Sequence, residues 1–591
     1  MSIQEQSPSP RYTIPEHCIL ESAVLEFHTN TNANKIPKEL LCNMDMTSNT
    51  HTESFGCLEI KTGETSINID PVFFLFTIDE SGSMNETCKD GKTKMAHVHF
   101  TMNQMLLYFA ENPEATIYVH VNAFHDNVRT IIEKTQVTHK NVNDIIEQIK
   151  KIRPQNSTNF ESALKSANQI INNDIMQTTN TNKSPHRIVH VLLTDGNPTM
   201  GDCSDSYLSS LVDDTFSNVF IAFGLDHNPI LMNRLGNAGK NTTNYLVKNL
   251  ELIGNVYGEI VHNHLFKVLD NPVLEIEEGS IYDWYSNEWK TTLNISPLTS
   301  EAKKFYYIKS SNPDETRIRI SGRPIDNYAG IYFEEYVDKM PDLIETRVIE
   351  SQDTDTNAET DTTTEEIIVD VDLTKHMFRL CTQRLLYEAR TYANGEEANN
   401  YDNDLSSSQQ AIPFLKRSYN YNSQHHDMND DIVTTTTTTT TTTTPPPPKL
   451  ERNKTHIYEF KLDELPEIQT PQEPSSKSLK LNLLKSQIRD HLKYMSDYLE
   501  QNKNNTNDQD KQFIKTLCDD MDIALKTIGT GNQQSYINAR SASQGRQQMN
   551  NINMNDDLTE LSSEEKDNDK DINNAYATPT ALKLMRGFSQ R

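Results

Sequence analysis

Two carboxylates and three hydroxyls stand in the sequence at positions where they could bind a metal ion together. Asp79, Ser81 and Ser83 fall within one short segment, with a glycine between the serines, while Thr158 and Asp195 lie further along the chain. An all-oxygen set of this kind suits a hard, octahedral divalent ion such as Mg²⁺ or Mn²⁺, which keeps some of its waters. The two negative charges balance the ion and leave room for one further acidic ligand.

Apolar runs precede both aspartates and predict buried strands. Val72–Asp79 ends in the first aspartate, and Arg187–Thr194 leads directly into Asp195. Continuous apolar runs of this length are typical of strands that are covered on both faces of a parallel sheet. Ligands of open parallel sheets bind beyond the carboxyl ends of the strands, so the fold would bring both aspartates to one crevice. Thr158 precedes a predicted helix on a loop that could reach the same place.

Strand and helix patterns alternate through the rest of this region. Further strands are expected at Thr116–Phe124, Val128–Glu133, Asn218–Phe223 and Tyr245–Val247. Helices are expected at 95–109, 142–152, 160–175, 206–212, 230–235 and Gly254–Leu269. A turn at 125–127 predicts a hairpin at the sheet edge. The alternation predicts a doubly wound, mostly parallel α/β sheet over residues 70–265.

This combination of motifs resembles the von Willebrand factor type A (VWA) family. The resemblance rests on the DESGS segment 79–83 after a buried strand, Thr158-Asn159 before a helix and Thr194-Asp195-Gly196 after a second strand. It implies a Rossmann-like fold with an intact metal-ion-dependent adhesion site. The hydroxyls of Ser81, Ser83 and Thr158 would ligate the ion, and Asp79 and Asp195 would bind it directly or through water. A protein partner would complete the shell with an Asp or Glu carboxylate.

The sequence departs from the family at one point of this site. Asn156-Ser157 precedes Thr158 where the family often has glycines. Larger side chains at these positions predict a stiffer loop and a changed preference between its open and closed positions.

A second, narrower resemblance concerns the remainder of the chain. Residues 223–228, FGLDHN, followed by Ile230-Leu231, are similar to a subgroup in which a β segment and a helical domain follow the VWA domain. That subgroup includes proteins linked to hedgehog/intein-like modules and some plant ubiquitin ligases. Residues 536–547 are similar to the C-terminal end of its helical domain. The sequence shows neither RING cysteines nor an intein-like catalytic cysteine block, so the enzymatic halves of those architectures are not expected.

Composition shifts predict several domains and linkers along the 591 residues. A disordered tail is expected at 1–10 and short strands packed with the following domains at 11–69, before the VWA domain at 70–265. A β-rich domain at 266–350, an acidic Thr-rich loop at 351–370 and a helical segment at 371–394 are expected next. The chain is then expected to continue with a low-complexity linker with poly-Thr and poly-Pro runs at 395–475, a helical C-terminal domain at 476–549 and a mostly disordered acidic tail at 550–591.

Charge and cysteine usage restrict the classes of partner and compartment. The formal charge of −29 repels phosphate backbones and anionic membranes, so neither nucleic-acid binding nor membrane insertion is expected. The seven cysteines are scattered without a CxxC pair, which fits neither a disulfide framework nor a zinc finger. No apolar signal core opens the chain and no run reaches membrane-spanning length, which favours a cytoplasmic protein and leaves virion association open.

These observations favour a non-enzymatic function. The sequence contains no GxGxxG or GxxxxGK[ST] phosphate loop and no nucleophile elbow. The expected function is a divalent-metal-dependent protein-binding module for adhesion or scaffolding. Two alternatives stay open: a substrate adaptor of a ubiquitin-ligase or protein-processing complex, and a structural component of a particle such as a large virion.

Overall fold

The structure is a computed structural model. It describes residues 19–29, 53–68, 70–88, 90–155, 157–180, 187–224, 227–239, 241–247, 253–325, 332–341, 343–350, 362–395, 476–503, 506–546 and 578–589. The disordered tail expected at 1–10, the linker expected at 395–475 except residue 395, and the acidic tail expected at 550–591 except residues 578–589 lie outside these residues.

The described strands and helices are numbered separately in chain order. The strands are β1 Ser22–Phe27, β2 Ser54–Lys61, β3 Val72–Asp79, β4 Ile117–Phe124, β5 Val128–Gln136, β6 Arg187–Thr194, β7 Ser217–Phe223, β8 Thr242–Val247, β9 Lys267–Glu277, β10 Ser280–Asp283, β11 Glu288–Lys290, β12 Thr292–Asn294, β13 Leu298–Thr299, β14 Lys303–Ser310, β15 Arg317–Pro324, β16 Phe333–Asp338, β17 Ile344–Glu350 and β18 Thr362–Ile368. The α-helices are α1 Lys94–Glu111, α2 Val142–Ile149, α3 Phe160–Asn180, α4 Asp205–Ser210, α5 Pro229–Gly236, α6 Ile253–Leu265, α7 Thr374–Ala393, α8 Ser476–Gln501, α9 Asp508–Thr527, α10 Gln533–Arg546 and α11 Pro579–Ser589.

A six-stranded sheet forms the centre of the α/β region, in the order β5-β4-β3-β6-β7-β8. The neighbouring strands β3 and β6 run parallel, and every residue of β3 is buried. Within this sheet β5 pairs antiparallel with β4, which is the hairpin predicted at the sheet edge. The remaining neighbours pair in parallel. The predicted doubly wound, mostly parallel α/β fold is confirmed.

Helices cover both faces of this sheet. One core contains apolar residues of α1, α2 and α6, and the other contains apolar residues of α3, α4 and α5. Each helix presents its apolar stripe to the sheet, which is the arrangement that buries strands such as β3 completely.

Two further sheets share one apolar core after the α/β region. Their strand orders are β1-β2-β14-β10-β11 and β12-β9-β15-β16, with β13 also paired to β9. Strand β2 pairs with β14 along its whole length. The chain before the α/β region therefore completes a sheet whose other strands come after it.

The structure differs from two sequence expectations in this part. The closing helix α6 ends at Leu265 rather than at Leu269, because Lys267 and Leu269 pair with β13. The acidic loop expected at 351–370 contains β18, which pairs antiparallel with β17. The β-branched residues of β18 favour a strand once such a partner is present.

Four helices, α7 to α10, enclose another core, which contains Phe378, Ile488, Leu517 and Ile537. The last helix, α11, stands where a mostly disordered tail was expected, and its buried residues Leu584 and Phe588 belong to the core of the α/β region. Within the described residues, we find no helix with the length and apolar character needed to cross a membrane.

Candidate metal centre

The two predicted aspartates come together at the carboxyl end of the central sheet. Asp79 is the last residue of β3, and Asp195 follows the last residue of the neighbouring parallel strand β6. Both residues are 0% exposed. The hydroxyl of Ser83 donates a hydrogen bond of 2.7 Å to Asp195 Oδ1, so the first loop reaches the end of the second strand.

The two serines are oriented by the turn that follows β3. The backbone N–H of Ser81 donates to Asp79 Oδ1 at 2.8 Å, and a short 3₁₀ helix begins at Gly82. Met84, completely buried, anchors this helix in the core. The hydroxyl oxygens of Ser81 and Ser83 are 3.1 Å apart. Adjacent ligand oxygens of an octahedral Mg²⁺ ion, each 2.0–2.1 Å from the metal, are separated by about 3.0 Å.

Thr158 reaches the same place from the loop before α3. A Cβ atom built on Gly196 would lie 3.7 Å from Thr158 Oγ1 and 3.7 Å from Ser83 Oγ, so both hydroxyls border Gly196. The backbone N–H of Thr199 donates to the Thr158 carbonyl at 2.9 Å, and this bond ties the loop to the segment after β6. The structure therefore brings all five residues selected from the sequence to one crevice.

The carboxyl of Asp79 receives its hydrogen bonds from uncharged groups. Its Oδ2 accepts from the Thr194 hydroxyl at 2.6 Å, in addition to the bond from Ser81 at Oδ1. Burial raises the pKa of Asp79 to about 7, although the bonds from Thr194 and Ser81 act in the opposite direction. A cation placed beside this carboxylate would offset the cost of keeping it charged away from water.

Lys94, the first residue of α1, is a site residue that the sequence analysis missed. Its ammonium donates to Asp195 Oδ2 at 2.9 Å and to Glu86 Oε2 at 2.6 Å. Burial opposes the charged form of Lys94, but the bonds to Glu86 and Asp195 raise its pKa above the ordinary value. The available signal was a lysine at the start of an otherwise apolar helical face, shortly after the segment that carries Asp79, Ser81 and Ser83.

Glu80 and Asp126 both bond to the loop that carries Thr158, Glu80 through its backbone carbonyl and Asp126 through its side chain. The Glu80 carboxylate, which is 0% exposed, accepts two hydrogen bonds from the Arg129 guanidinium, at 2.9 and 2.6 Å. Its backbone carbonyl accepts from Gln155 N–H at 2.6 Å. Asp126 Oδ1 accepts from the Ser157 hydroxyl at 2.5 Å and from the Ser157 N–H at 3.1 Å. The serine that replaces a family glycine is thus bonded to the neighbouring β4–β5 turn; Asn156 lies outside the described residues.

The donor set fits a hard divalent cation. Across the described ranges, no three His, Cys, Asp or Glu side chains group together as a metal site. A metal at the end of β3 and β6 would therefore depend on the serine and threonine hydroxyls as well as on the two carboxylates. Oxygen ligands of this kind match Mg²⁺ or Mn²⁺ better than softer ions such as Zn²⁺.

The domain is an α/β sheet with a cluster of carboxylate and hydroxyl oxygens at the carboxyl end of its strands. Residues 74–197 match the family model of the von Willebrand factor type A domain. The chain thus contains a VWA domain, as its motifs predicted. The matched segment includes all five candidate ligands.

Other comparisons give only distant likenesses. No curated protein matches the chain. Among solved structures, the chain is similar to a von Willebrand factor type A protein from Catenulispora acidiphila, at 12% identity and a TM-score of 0.37, over 58% of this chain and 78% of that one. It is also similar to the ArnB paralog VWA2 from Sulfolobus acidocaldarius, at 11% identity and a TM-score of 0.42, over 90% of this chain and 99% of that one.

Proposed function

We propose that the VWA domain is a divalent-metal-dependent protein-binding module. The observation that carries this proposal is the convergence of three hydroxyls and two fully buried carboxylates at the carboxyl end of β3 and β6, with the hydroxyl oxygens of Ser81 and Ser83 at 3.1 Å. Spacing of this kind is suited to neighbouring ligands of one octahedral ion.

The residues divide into direct and indirect ligands under this proposal. Ser81, Ser83 and Thr158 would hold the ion through their hydroxyl oxygens. Asp79 and Asp195 each have both carboxylate oxygens engaged by protein donors, which favours contact of both with the ion through water. When bound, Mg²⁺ supplies a local positive charge that attracts an anionic group. Thr194 and Lys94 orient the two aspartates by hydrogen bonds of 2.6 and 2.9 Å.

The partner group that fits best is an Asp or Glu carboxylate. Three hydroxyls and two carboxylates leave a divalent octahedral ion with a position that water or another oxygen ligand fills. A carboxylate forms a stronger ionic contact there, because the surrounding groups are shielded from solvent. The overall charge of −29 repels acidic partners at long range, so the attraction must come from the ion itself.

Binding is favoured over catalysis by the hydrogen bonds of the serines. Ser81 bonds to Ser83, and Ser83 bonds to a carboxylate, rather than to a histidine that would act as a general base. A nucleophilic serine requires such a base to take its proton. We assign the site no catalytic residue.

Titration of the full chain with Mg²⁺ or Mn²⁺ tests the metal site. Calorimetry of the wild-type protein should show one site, and Asp79→Ala or Asp195→Ala should remove it. Asp144→Ala is the matched control, because Asp144 is an exposed residue of α2, away from the site residues in the sequence. Equal binding by the wild type, Asp79→Ala and Asp195→Ala would reject the site assignment.

A pair of immobilised peptides that differ by one Glu→Gln change tests the partner chemistry. In Mg²⁺, the protein should bind the peptide with Glu more tightly than the peptide with Gln. EDTA should abolish this binding. Thr158→Ala should weaken this capture more than it weakens metal binding, and Thr158→Ser, which keeps the hydroxyl, should restore it. Capture that survives both EDTA and Thr158→Ala would place the interaction on another surface of the chain.

The adaptor and particle functions considered from the sequence stay predictions. Both are compatible with a protein-binding VWA domain, and they differ in the partner that it would hold. Co-purification with ligase subunits would favour the adaptor, and stoichiometric association with a particle would favour the structural function.

A further inference from the structure

The C-terminal helix α11 lies in a groove on the VWA domain. Four apolar residues of α11 point into this groove and are 2–6% exposed, namely Ala581, Leu584, Met585 and Phe588. Their spacing is that of one face of an amphipathic helix. The groove is formed by α6 and by α1, where the Tyr108 ring meets the Phe588 ring edge-on at 5.6 Å.

Two glycines of α6 shape the groove for a helix backbone. A Cβ atom at Gly254 would lie 2.5 Å from the Phe588 carbonyl carbon, and one at Gly258 would lie 2.5 Å from Met585 N. These contacts are with backbone, which cannot swing away as a flexible side chain would. Any side chain at either position would therefore exclude the helix.

Polar contacts hold both ends of α11. At its start, the Thr578 hydroxyl accepts from Ala581 N–H at 3.1 Å and lies 3.0 Å from His262 Nε2 of α6. Glu301, in the turn between β13 and β14, accepts from Thr580 N–H at 2.9 Å. At its end, the Ser589 hydroxyl donates to Asn255 Oδ1 at 2.8 Å. The groove thus recognises the length and direction of the helix as well as its apolar face.

Helix α6 also has an apolar face that belongs to the sheet. Val256 and Ile260 are two residues beyond Gly254 and Gly258, which places them about 200° further around the helix axis. Both are buried in the core shared with the central sheet. The face of α6 that carries the two glycines therefore contacts α11, whereas the opposite face packs against the core of the VWA domain.

A long connection precedes α11. Residues 547–577 link α10 to Thr578, and a chain of 31 residues can span at most about 110 Å. The covalent link raises the effective concentration of the helix at the groove of its own copy, but 31 residues do not by themselves fix which copy's groove the helix occupies. The same length allows the helix of one copy to reach the groove of another.

We propose that the groove formed by α6 and α1 is a receptor for the segment 578–589, and that a second copy of the chain supplies this segment in trans when the protein is concentrated. The segment acts as a tethered amphipathic ligand of the helix-in-groove type. The groove then gives the protein a self-association surface separate from the metal site.

Cleavage of the folded, full-length protein tests the receptor function. A protease recognition sequence inserted after Glu560 is cut after folding, and the cut protein is incubated with excess labelled peptide 578–591. The labelled peptide should replace the original helix, and the protein should keep its cooperative melting. Failure of the peptide to exchange, or unfolding of the domain when the helix leaves, would show that α11 is an integral part of the core and would overturn the proposal.

Matched peptides define the contacts. Phe588→Ala in the peptide should weaken binding by at least about 100-fold, because it removes a buried aromatic side chain. Lys583→Ala should bind as the parent does, because Lys583 is exposed. Similar affinities for the two peptides would contradict a specific groove.

Exchange between copies is measured with two fluorescently labelled preparations of the full chain. Energy transfer should rise with protein concentration and should be lost when both preparations carry Phe588→Ala. A strictly monomeric wild-type protein at all concentrations, or dimers that persist in Phe588→Ala, would overturn the trans arrangement. Because no metal is needed for these measurements, their failure is distinguishable from failure of the proposed metal-dependent function.

Discussion

The VWA crevice and the C-terminal helices both bury carboxylates, but they satisfy them with different partners. In the helices, Asp520 of α9 accepts from the Arg540 guanidinium at 2.9 Å and from the Gln544 amide at 2.6 Å. In the crevice, Asp79 accepts from the Ser81 N–H and the Thr194 hydroxyl, neither of which carries a charge. Asp520 therefore has a buried cation as its neighbour, whereas Asp79 has dipoles.

The charge of the partner distinguishes an ion pair that stabilises the fold from a cluster that could bind a cation. A bonded guanidinium neutralises the charge of a buried carboxylate, and removing either partner leaves an uncompensated charge. A buried carboxylate held by uncharged donors, with a second carboxylate at the end of the next strand, retains an attraction for a cation. Lys94 supplies a positive charge to Asp195 but not to Asp79. It bonds to Asp195 Oδ2, whereas Ser83 bonds to Oδ1.

The largest expected effect is the loss of the ion pair in the helices. Asp520→Ala should lower the free energy of unfolding by about 3–5 kcal/mol, because Arg540 would remain buried without its carboxylate. Urea denaturation measures this change. The combined variant Asp520→Leu with Arg540→Met should recover most of the loss, since it removes both charges. If Asp520→Ala costs no more than an exposed substitution such as Asp144→Ala, the pair is not what holds these helices.

The next effect is stabilisation of the crevice by metal. Mg²⁺ at about 100 times its dissociation constant should raise the free energy of unfolding of the VWA domain by about 2.7 kcal/mol. Thermal melting with and without EDTA measures this increment. It should vanish in Asp79→Ala and persist in Asp520→Ala, provided that the latter still folds. An increment that survives Asp79→Ala would place the ion elsewhere.

Lys94→Met sharpens the contrast between the two clusters. Removing the ammonium takes away a positive charge that repels the incoming ion, so Mg²⁺ affinity should rise by about tenfold. The protein without metal should become less stable, because Asp195 loses its cationic partner. Calorimetry and melting of the same variant measure the two opposite changes.

Lys92→Met is the matched control for this experiment. Lys92 lies two residues away, is largely exposed and pairs with Asp90, so its loss should change neither quantity appreciably. Weaker Mg²⁺ binding by Lys94→Met would mean that the lysine mainly orients Asp195 rather than competing with the metal.

The strands and the candidate metal ligands have local signals in the sequence, and the strands are confirmed. Val72–Asp79 and Arg187–Thr194 are strands over the predicted residues, because strands buried on both faces need a continuous apolar run. Lys94 was missed because its contact with Asp195 joins residues 101 positions apart and depends on which turn of α1 faces the crevice. No local sequence pattern specifies the contact between Lys94 and Asp195.

The C-terminal helix was missed for a related reason. Its apolar spacing covers barely three turns after an acidic, Asn-rich segment, and isolated helices of this length are marginal in water. Its stability comes from the groove at Gly254 and Gly258. Pairing between distant segments likewise ended α6 at Leu265, although Val268 and Leu269 continue its apolar pattern.

The smallest expected effect concerns the loop that carries Thr158. Asp126 receives the Ser157 hydroxyl at 2.5 Å, which fixes the backbone immediately before the threonine. A rigid loop holds the Thr158 hydroxyl beside Gly196, which Ser83 Oγ also borders, without a further loss of conformational entropy when the ion binds. Ser157→Ala keeps the backbone bond to Asp126 and removes only the hydroxyl bond, so Mg²⁺ affinity should fall by a factor of about three to ten.

Ser157→Gly, which restores the residue type common in the family, should weaken binding at least as much, because it also frees the backbone. Calorimetry orders the variants, with Ser162→Ala as the control in the first turn of α3. Tighter binding by either Ser157 variant would mean that the serine holds the loop away from the metal, and the crevice would then depend on loop movement rather than on preformed geometry.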